Sequence, residues 1–376
     1  MTITGDAHAS RMPDGVSLRR LGTWTLLVLC GLLCVAPSRA DAGERYALLV
    51  TGASGGEAYA KKYQKWRTAL ALTLREQLGY PADHLITLGE DEGASARSTR
   101  DNVRNALNDF RRRAVEGDVT LILLIGHGSA DSDGAKFNLV GPDLTVDEWA
   151  ALIRPIAGRV VFVNSASGSF PFLATLAGRN RVVLVANDSA AQSFETVFPD
   201  YFVAAFADEM ADRDKNGKVS LLEAFDYASA KVKAFFDGKG QLATERPLLD
   251  DTGAGIGREY DSKEPTKDGQ LAQVTYLAPE VPASLAGNPE LASLLRRRAE
   301  FEDRLTVLKG NKESMTPERY EEELERILLE IAAEADDGVA TVGFDILAKR
   351  RHLEGRAGDD DGHGAVLDSG RHALEA

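Results

Sequence analysis

The segment DRDKNGKVSLLE, residues 212–223, carries oxygen-bearing residues at the spacing of a twelve-residue calcium-binding loop. In such a loop, positions 1, 3, 5, 7, 9 and 12 supply ligands and a glycine at position 6 allows a sharp turn. The residues at the ligand positions are Asp212, Asp214, Asn216, Lys218 (through its carbonyl), Ser220 and Glu223. Because Ca²⁺ prefers hard oxygen ligands, the spacing predicts one bound Ca²⁺ between helices at 201–211 and 221–236. The alternative is a solvated acidic turn, and a single site favours a structural clamp over a paired sensor.

A histidine between two glycines follows the apolar run VTLILLIG at 119–126. A short apolar run that ends in glycine is typical of a strand buried on both faces. His127 would then lie at the carboxyl end of this strand, where side chains reach into a crevice. A histidine there can act as a general base when a nucleophile lies nearby. The alternative is a packed histidine without a chemical role.

The elements around this strand predict an α/β fold. Apolar runs alternate with stretches in which apolar residues recur at helical spacing, and this order favours a mostly parallel sheet covered on both faces. The predicted strands are 45–51, 84–89, 119–126, 158–164 and 181–187, and the predicted helices between them include 58–78 and 99–115. The carboxyl edge of such a sheet is where we expect functional residues to collect.

Five segments together resemble the caspase-like cysteine peptidases, and among these the legumain-like branch. They are RYALLVTGASG (45–55), GYPADHLITL (79–88), IGHGS (125–129), VNSASGS (163–169) and VLVANDSAAQSF (183–194). The resemblance covers roughly residues 45–260 and implies a caspase-like three-layer sandwich over 41–277, with the calcium loop as an insertion. It also implies that His127 is the catalytic histidine and that Ser165 stands at the position of the nucleophilic cysteine. The backbone amides of Gly128 and Ser165 would form the oxyanion hole.

Two departures from the family pattern bear on catalysis. Ser165 replaces a cysteine, and a hydroxyl needs a histidine oriented by a carboxylate to become nucleophilic. Asp131 and Asp133 are the candidates for that carboxylate, and Val163 stands where legumain-like enzymes carry a glutamate in their specificity pocket. We therefore expect a catalytically impaired homologue that binds a peptide or protein partner, and the alternative is an active endopeptidase with a Ser165–His127 dyad.

The N-terminus has the pattern of a signal peptide. Arg19 and Arg20 precede an apolar stretch at 21–36, and small residues follow it, so we expect cleavage after Ala40 or Ala42. The apolar stretch is shorter than the roughly 20 residues of a membrane span, which is the alternative. We predict a periplasmic or secreted bacterial protein that meets the membrane only through residues 1–40. The two cysteines, Cys30 and Cys34, lie in this segment, so the mature chain would have neither a thiol nor a disulfide.

Composition limits the classes of partner. The chain has 376 residues and a formal net charge of −14, so it offers no overall basic character for nucleic acid. A hydrophobic content of 44% is sufficient for a packed core of one or two domains.

Residues 288–335 predict a helical hairpin, because apolar residues recur there at steps of three, four and seven. These residues are Leu294, Phe301, Leu305, Leu308, Tyr320, Leu324, Ile327 and Ile331. The hairpin would either pack on its own domain or form a coiled-coil contact that makes the chain an oligomer. Residues 352–376, which include GDDDGHG, predict a disordered tail.

Overall fold

The computed structural model describes residues 43–131, 134–260, 269–281 and 287–334. The predicted signal peptide at 1–40, Asp133 and the predicted tail at 352–376 lie outside the described residues.

The chain forms a central sheet with helices between its strands. Its strands are β1 (Arg45–Thr51), β2 (Leu85–Gly89), β3 (Ala96–Arg97), β4 (Val119–Ile125), β8 (Arg159–Asn164), β9 (Arg181–Val185) and β10 (Leu248–Asp250), in the order β10-β9-β8-β4-β1-β2-β3. Only β10 runs antiparallel to its neighbour in this sheet. A smaller antiparallel sheet contains β5 (Gly128–Asp131), β6 (Gly134–Phe137) and β7 (Leu144–Thr145). The prediction of an α/β fold with a mostly parallel central sheet is confirmed.

Helices cover both faces of the sheet, and two further helices, Pro289–Gly310 and Pro317–Glu334, form a cluster of their own. In chain order the helices are α1 (Glu57–Leu72), α2 (Arg100–Arg113), α3 (Val146–Ile153), α4 (Phe170–Leu176), α5 (Phe198–Ala205), α6 (Leu221–Gly238), α7 (Gln270–Gln273), α8 (Pro289–Gly310) and α9 (Pro317–Glu334). Local signals start several of them: Thr99 caps α2, and a Thr145–Glu148 capping box starts α3. The helix expected at 201–211 is displaced, since α5 ends at Ala205.

Two hydrophobic cores explain why the central strands are apolar throughout. On one face, Leu121 and Leu123 of β4 belong to the core that contains Phe202. On the other face, Ile122 of β4 belongs to the core that contains Trp149. Successive strand residues point to opposite faces, so a strand covered on both sides has no solvent-facing position.

The parallel register brings the ends of β4 and β8 to the same level. Leu124 of β4 pairs with Asn164 of β8, so His127 and Ser165 both follow strands that end at the carboxyl edge. The predicted calcium loop, residues 212–223, follows α5 and ends in the first turn of α6.

Helices α8 and α9 contact each other through an apolar cluster. Phe301, Leu308 and Ile327 are buried in it, and Arg304 forms an ion pair with Glu330 beside it. The apolar segment 272–279 forms no named strand among the described residues: Gln270–Gln273 form α7, and Tyr276 makes one isolated bridge to Ser220. Among the described residues, no helix combines the length and the apolar character needed to span a bilayer.

Candidate functional site

Main-chain segments pack closely against one another at the carboxyl edge between β4 and β8. A Cβ atom at position 128 would lie 2.6 Å from the carbonyl oxygen of Ser167 and 2.8 Å from that of Lys136. Glycine is therefore required at Gly128, because any side chain would displace two neighbouring main-chain segments. Gly168 has a φ of 61°, the left-handed conformation that favours glycine, and this turn leads the chain from β8 into α4.

His127 is half-buried, and its partners are aromatic. Its Nε2 lies 2.9 Å from the Tyr63 hydroxyl, and the Tyr59 ring meets the imidazole edge-on at 4.8 Å between centroids. Burial lowers the pKa of His127, and the charge of Glu195 opposes that shift. Because the neutral form is favoured, His127 is a base in its resting state. Within the described residues the hydrogen-bond partner of Nε2 is a phenol, at the ring nitrogen that faces the serine hydroxyl in a Ser–His–Asp triad.

Ser165 is fully buried and its hydroxyl is already engaged. The Oγ donates to the carbonyl oxygen of Leu124 at 2.5 Å, and the Ser165 amide donates to the same oxygen at 3.0 Å. The Ser165 carbonyl accepts a hydrogen bond from Thr196 Oγ1. Within the described residues, no hydrogen bond joins Ser165 to His127, so the structure brings the predicted pair to one sheet edge without connecting them.

The amides predicted as an oxyanion hole also have internal acceptors. The Gly128 amide donates to Ser167 Oγ at 3.2 Å, and Ser167 Oγ donates to the Gly128 carbonyl at 3.0 Å. The Ser165 amide is held by the Leu124 carbonyl. An oxyanion hole requires donors that point at the reacting oxygen, and here both amides point at acceptors within the protein, so the role of both amides stays a prediction. Ser167 belongs to the segment VNSASGS, and nothing in that segment by itself indicates its hydrogen bonds to Gly128.

The loop after β9 is fixed against this edge. The Gly168 amide donates to the carbonyl of Gln192 at 2.8 Å, and Lys62 pairs with Glu195 at 2.6 Å. The buried Glu245 carboxylate accepts the amides of Val197 and Phe198, at 2.8 Å each, and so caps the start of α5. Burial raises the pKa of Glu245 to about 7. No pattern in the sequence indicates Glu245, because the amides that it caps lie on a distant segment.

Three aromatic side chains are exposed on segments at this edge. Phe194 of the loop after β9 is 66% exposed, and Tyr59 and Phe170 are each 36% exposed. Tyr59 belongs to α1 and Phe170 begins α4, and both helices follow strands that end at this edge. Exposed aromatic rings offer a large contact area at low entropic cost.

The calcium loop brings three of its predicted ligands together. Carboxylate oxygens of Asp212, Asp214 and Glu223 all lie within 4.8 Å of one another. The loop is shaped by left-handed residues, with φ 60° at Lys215 and 85° at Gly217. Burial raises the pKa of Asp214, and the charge of Glu223 raises it further. A cation would relieve both effects, so the arrangement fits a divalent metal.

The remaining predicted ligands serve the loop in other ways as well. Ser220 and Glu223 form a capping box that starts α6, with Ser220 Oγ 2.8 Å from Glu223 Oε2. The Lys218 amide donates to the Asn216 side-chain oxygen at 2.8 Å. Asn216 Nδ2 lies 3.3 Å from the Tyr276 hydroxyl, and Tyr276 pairs with Ser220 in a single β-bridge. Tyr276 was not anticipated as a neighbour of the loop.

No protein-family model matches the chain, and no curated protein matches it. A solved structure similar to it is that of protein GSU0716 from Geobacter sulfurreducens, with 13% sequence identity and a TM-score of 0.38. That match covers 59% of this chain and 95% of the other.

Proposed function

We propose that this chain is an exported, calcium-binding homologue of the caspase- and legumain-like peptidases that does not hydrolyse peptides. It binds an extended peptide or protein segment at the carboxyl edge of its sheet. The observation that carries the loss of hydrolysis is the buried Ser165 hydroxyl, which donates to the Leu124 carbonyl.

Acyl transfer by serine needs three conditions together. The hydroxyl must reach a general base, the base must be oriented, and amide donors must point at the developing oxyanion. Here the Ser165 hydroxyl donates a hydrogen bond to the Leu124 carbonyl, His127 Nε2 shares a hydrogen bond with the Tyr63 hydroxyl, and the Gly128 amide donates to Ser167 Oγ. Each group would have to give up an existing hydrogen bond before it could serve catalysis. This cost supports a binding role over turnover.

The exposed aromatic residues support peptide binding. Tyr59 lies against His127, and Phe194 belongs to the loop that Glu195 and Lys62 hold in place. Aromatic side chains dominate the binding energy of many protein interfaces. We expect a partner segment with apolar side chains to lie along this edge.

Calcium binding is the second part of the proposal. It rests on the convergence of Asp212, Asp214 and Glu223 and on the raised pKa of Asp214. Extracytoplasmic calcium is abundant enough for a site of modest affinity.

The loss of hydrolysis is tested with an active-site-directed probe. We expect no labelling of the wild type by a fluorophosphonate and no turnover of a broad peptide library, with or without Ca²⁺. Ser165→Cys should also stay inactive, because the side chain at 165 remains buried. The control is Ser129→Ala, which removes an exposed serine hydroxyl near the same edge. Labelling at Ser165 that disappears in His127→Ala would establish the alternative, a serine endopeptidase.

The binding role is tested by selecting peptides from a displayed library on the purified protein. Phe194→Ala should lower the affinity for the selected peptides by about tenfold, since it truncates an exposed aromatic anchor. Leu242→Ala is the matched control, because Leu242 is an exposed apolar residue outside this loop. Equal losses in both variants would contradict a binding site at the carboxyl edge.

Export is tested by N-terminal sequencing of the mature protein. The expected first residue is Asp41 or Gly43, which follow the two predicted cleavage positions. A chain that retains Met1 or Met12 would contradict export with cleavage.

A further inference from the structure

A large cavity lies at the opposite, amino-terminal edge of the central sheet. Its volume is about 1020 Å³, and its walls come from the strand starts, the calcium loop and helices α8 and α9. Arg159 at the start of β8 and Asp303 on α8 both line it. Small-molecule sites typically have volumes of about 300–1,000 Å³ and combine apolar walls with a few polar groups.

Arg159 brings a positive charge to this cavity, and its hydrogen bonds go to neutral groups. Its Nη1 donates to the Val274 carbonyl at 2.7 Å and to Thr275 Oγ1 at 3.0 Å. Burial lowers the pKa of Arg159, which reflects the cost of removing the charge from water. Within the part of the chain that the structure describes, no carboxylate forms a salt bridge with it.

Asp303 brings a negative charge to the same cavity, and it too is partly buried. Of the residues that the structure describes, none donates a hydrogen bond to its carboxylate and none pairs with it. Burial raises the pKa of Asp303 to about 6, and the charge of Arg159 opposes that rise. A partly buried carboxylate without a donor is unfavourable, so the site gains free energy when a ligand supplies one.

The two charges share the cavity without touching each other. A purely cationic ligand would satisfy Asp303 and leave Arg159 without a counter-ion, and a purely anionic ligand would do the reverse. A ligand that carries both an ammonium group and a carboxylate satisfies both residues and adds no net charge. Arginine is suited to the carboxylate, because its guanidinium can bind the two oxygens together.

The rest of the wall carries further charged side chains, among them Arg45, Lys218 and Glu280, together with a group of apolar ones. The apolar group includes Val274, Phe301, Leu305, Leu324 and Leu328. An apolar side chain on the ligand would bury its surface there, which stabilises the complex by about 25 cal/mol for each Å² removed from water.

We propose that this cavity binds a small zwitterionic amino-acid ligand with an apolar side chain, its carboxylate on Arg159 and its ammonium group on Asp303. A free amino acid and a dipeptide share this chemistry. They differ in the separation of the two charged groups, which the experiment can resolve.

Isothermal titration calorimetry of the mature protein tests the proposal with L-phenylalanine, L-leucine and the dipeptide Phe-Leu. Matched probes that lack one charge are 2-phenylethylamine and 3-phenylpropionate. At least one zwitterion should bind at least about tenfold more tightly than both single-charge probes, because a hydrogen bond to a charged group is worth about 1.5–3 kcal/mol. The better of L-phenylalanine and Phe-Leu identifies the ligand type.

Asp303→Asn should lower the affinity for the zwitterion at least about tenfold and leave the affinity for 3-phenylpropionate unchanged. Arg159→Gln should lower the affinity for the zwitterion and leave the affinity for 2-phenylethylamine unchanged. If loss of the contacts to Val274 and Thr275 unfolds Arg159→Gln, the Asp303→Asn result decides alone. Glu300→Gln is the control, since it makes the same charge change at an exposed position of α8. Failure of all three zwitterions to bind, equal binding of the single-charge probes, or unchanged binding in Asp303→Asn would overturn the proposal.

Discussion

The polar groups at the two edges of the central sheet differ in whether the protein itself supplies their hydrogen-bond or ion-pair partners. At the carboxyl edge, Ser165, His127 and Gly128 are all hydrogen-bonded within the protein. At the amino edge, Arg159 and Asp303 are partly buried without an ion pair between them, and the carboxylates of the calcium loop lie close together.

The contrast indicates which of the two edges would gain free energy by binding a ligand or an ion. Internal hydrogen bonds stabilise the carboxyl edge without a ligand, and they occupy the reactive groups that the sequence motif suggests. Burying Arg159 and Asp303 without an ion pair costs free energy at the amino edge, and a bound counter-charge would offset that cost. The three groups that resemble a catalytic centre are thus hydrogen-bonded within the protein.

The largest effect is expected in the calcium loop. Glu223→Gln removes the charged ligand at the last loop position, so Ca²⁺ affinity should fall by at least about 100-fold. Calorimetry measures this loss, and the thermal stabilisation of the wild type by millimolar Ca²⁺ should disappear with it. Glu209→Gln, an exposed acid just outside the loop, is the control. Equal melting temperatures of the wild type in chelator and in Ca²⁺ would contradict the site.

A smaller loss is expected at the carboxyl edge. Ser165→Ala removes a buried hydrogen bond to Leu124, and the free energy of unfolding should fall by about 1 kcal/mol. Urea denaturation measures it, with the exposed Ser129→Ala expected within about 0.5 kcal/mol of the wild type. An unchanged stability of Ser165→Ala would mean that its hydroxyl is not held by Leu124, and the contrast between the edges would weaken.

A gain of similar size is expected at the amino edge. The pKa of Asp303 is raised to about 6, against about 3.9 for an unfolded chain. The folded state therefore binds this proton more readily, and the residue lowers stability as pH rises from about 4 to 6. Asp303→Asn should raise the free energy of unfolding by about 1 kcal/mol at pH 7, a value reduced for its partial exposure. The gain should vanish below about pH 4, and a loss at pH 7 would show that the carboxylate is paired.

The smallest effect concerns the titration of His127. Burial lowers its pKa, so an NMR titration should place it below the ordinary value of about 6.5. The unfolded chain then takes up the proton first, and His127 lowers stability as pH falls from about 6.5 to its folded pKa. Glu195→Gln should lower the pKa further, because the charge of Glu195 raises it. Glu209→Gln is the control, and a pKa above 6.5 would point to a carboxylate partner.

Much of the fold could be predicted from periodicity. The runs at 119–126 and 158–164 are apolar at nearly every position because both faces of their strands are covered, which also favours the parallel pairing. The segment 272–279 could not be assigned in this way. Its apolar residues suit a strand, yet the structure has the short helix Gln270–Gln273 at its start and a single bridge from Tyr276 to Ser220.

Features that depend on neighbouring residues follow from the sequence alone. The predicted calcium loop is an example, since its twelve residues hold the ligand spacing, the turn glycine and the capping box together, and Ca²⁺ binding there stays a prediction. The order of strands likewise placed His127 and Ser165 at one edge. Tertiary packing, in contrast, sets which groups meet across long separations. Tyr63 meets His127, Leu124 meets Ser165, and Arg159 shares a cavity with Asp303. Hydrogen bonding and desolvation depend on atomic positions that packing fixes, and residue spacing does not record those positions.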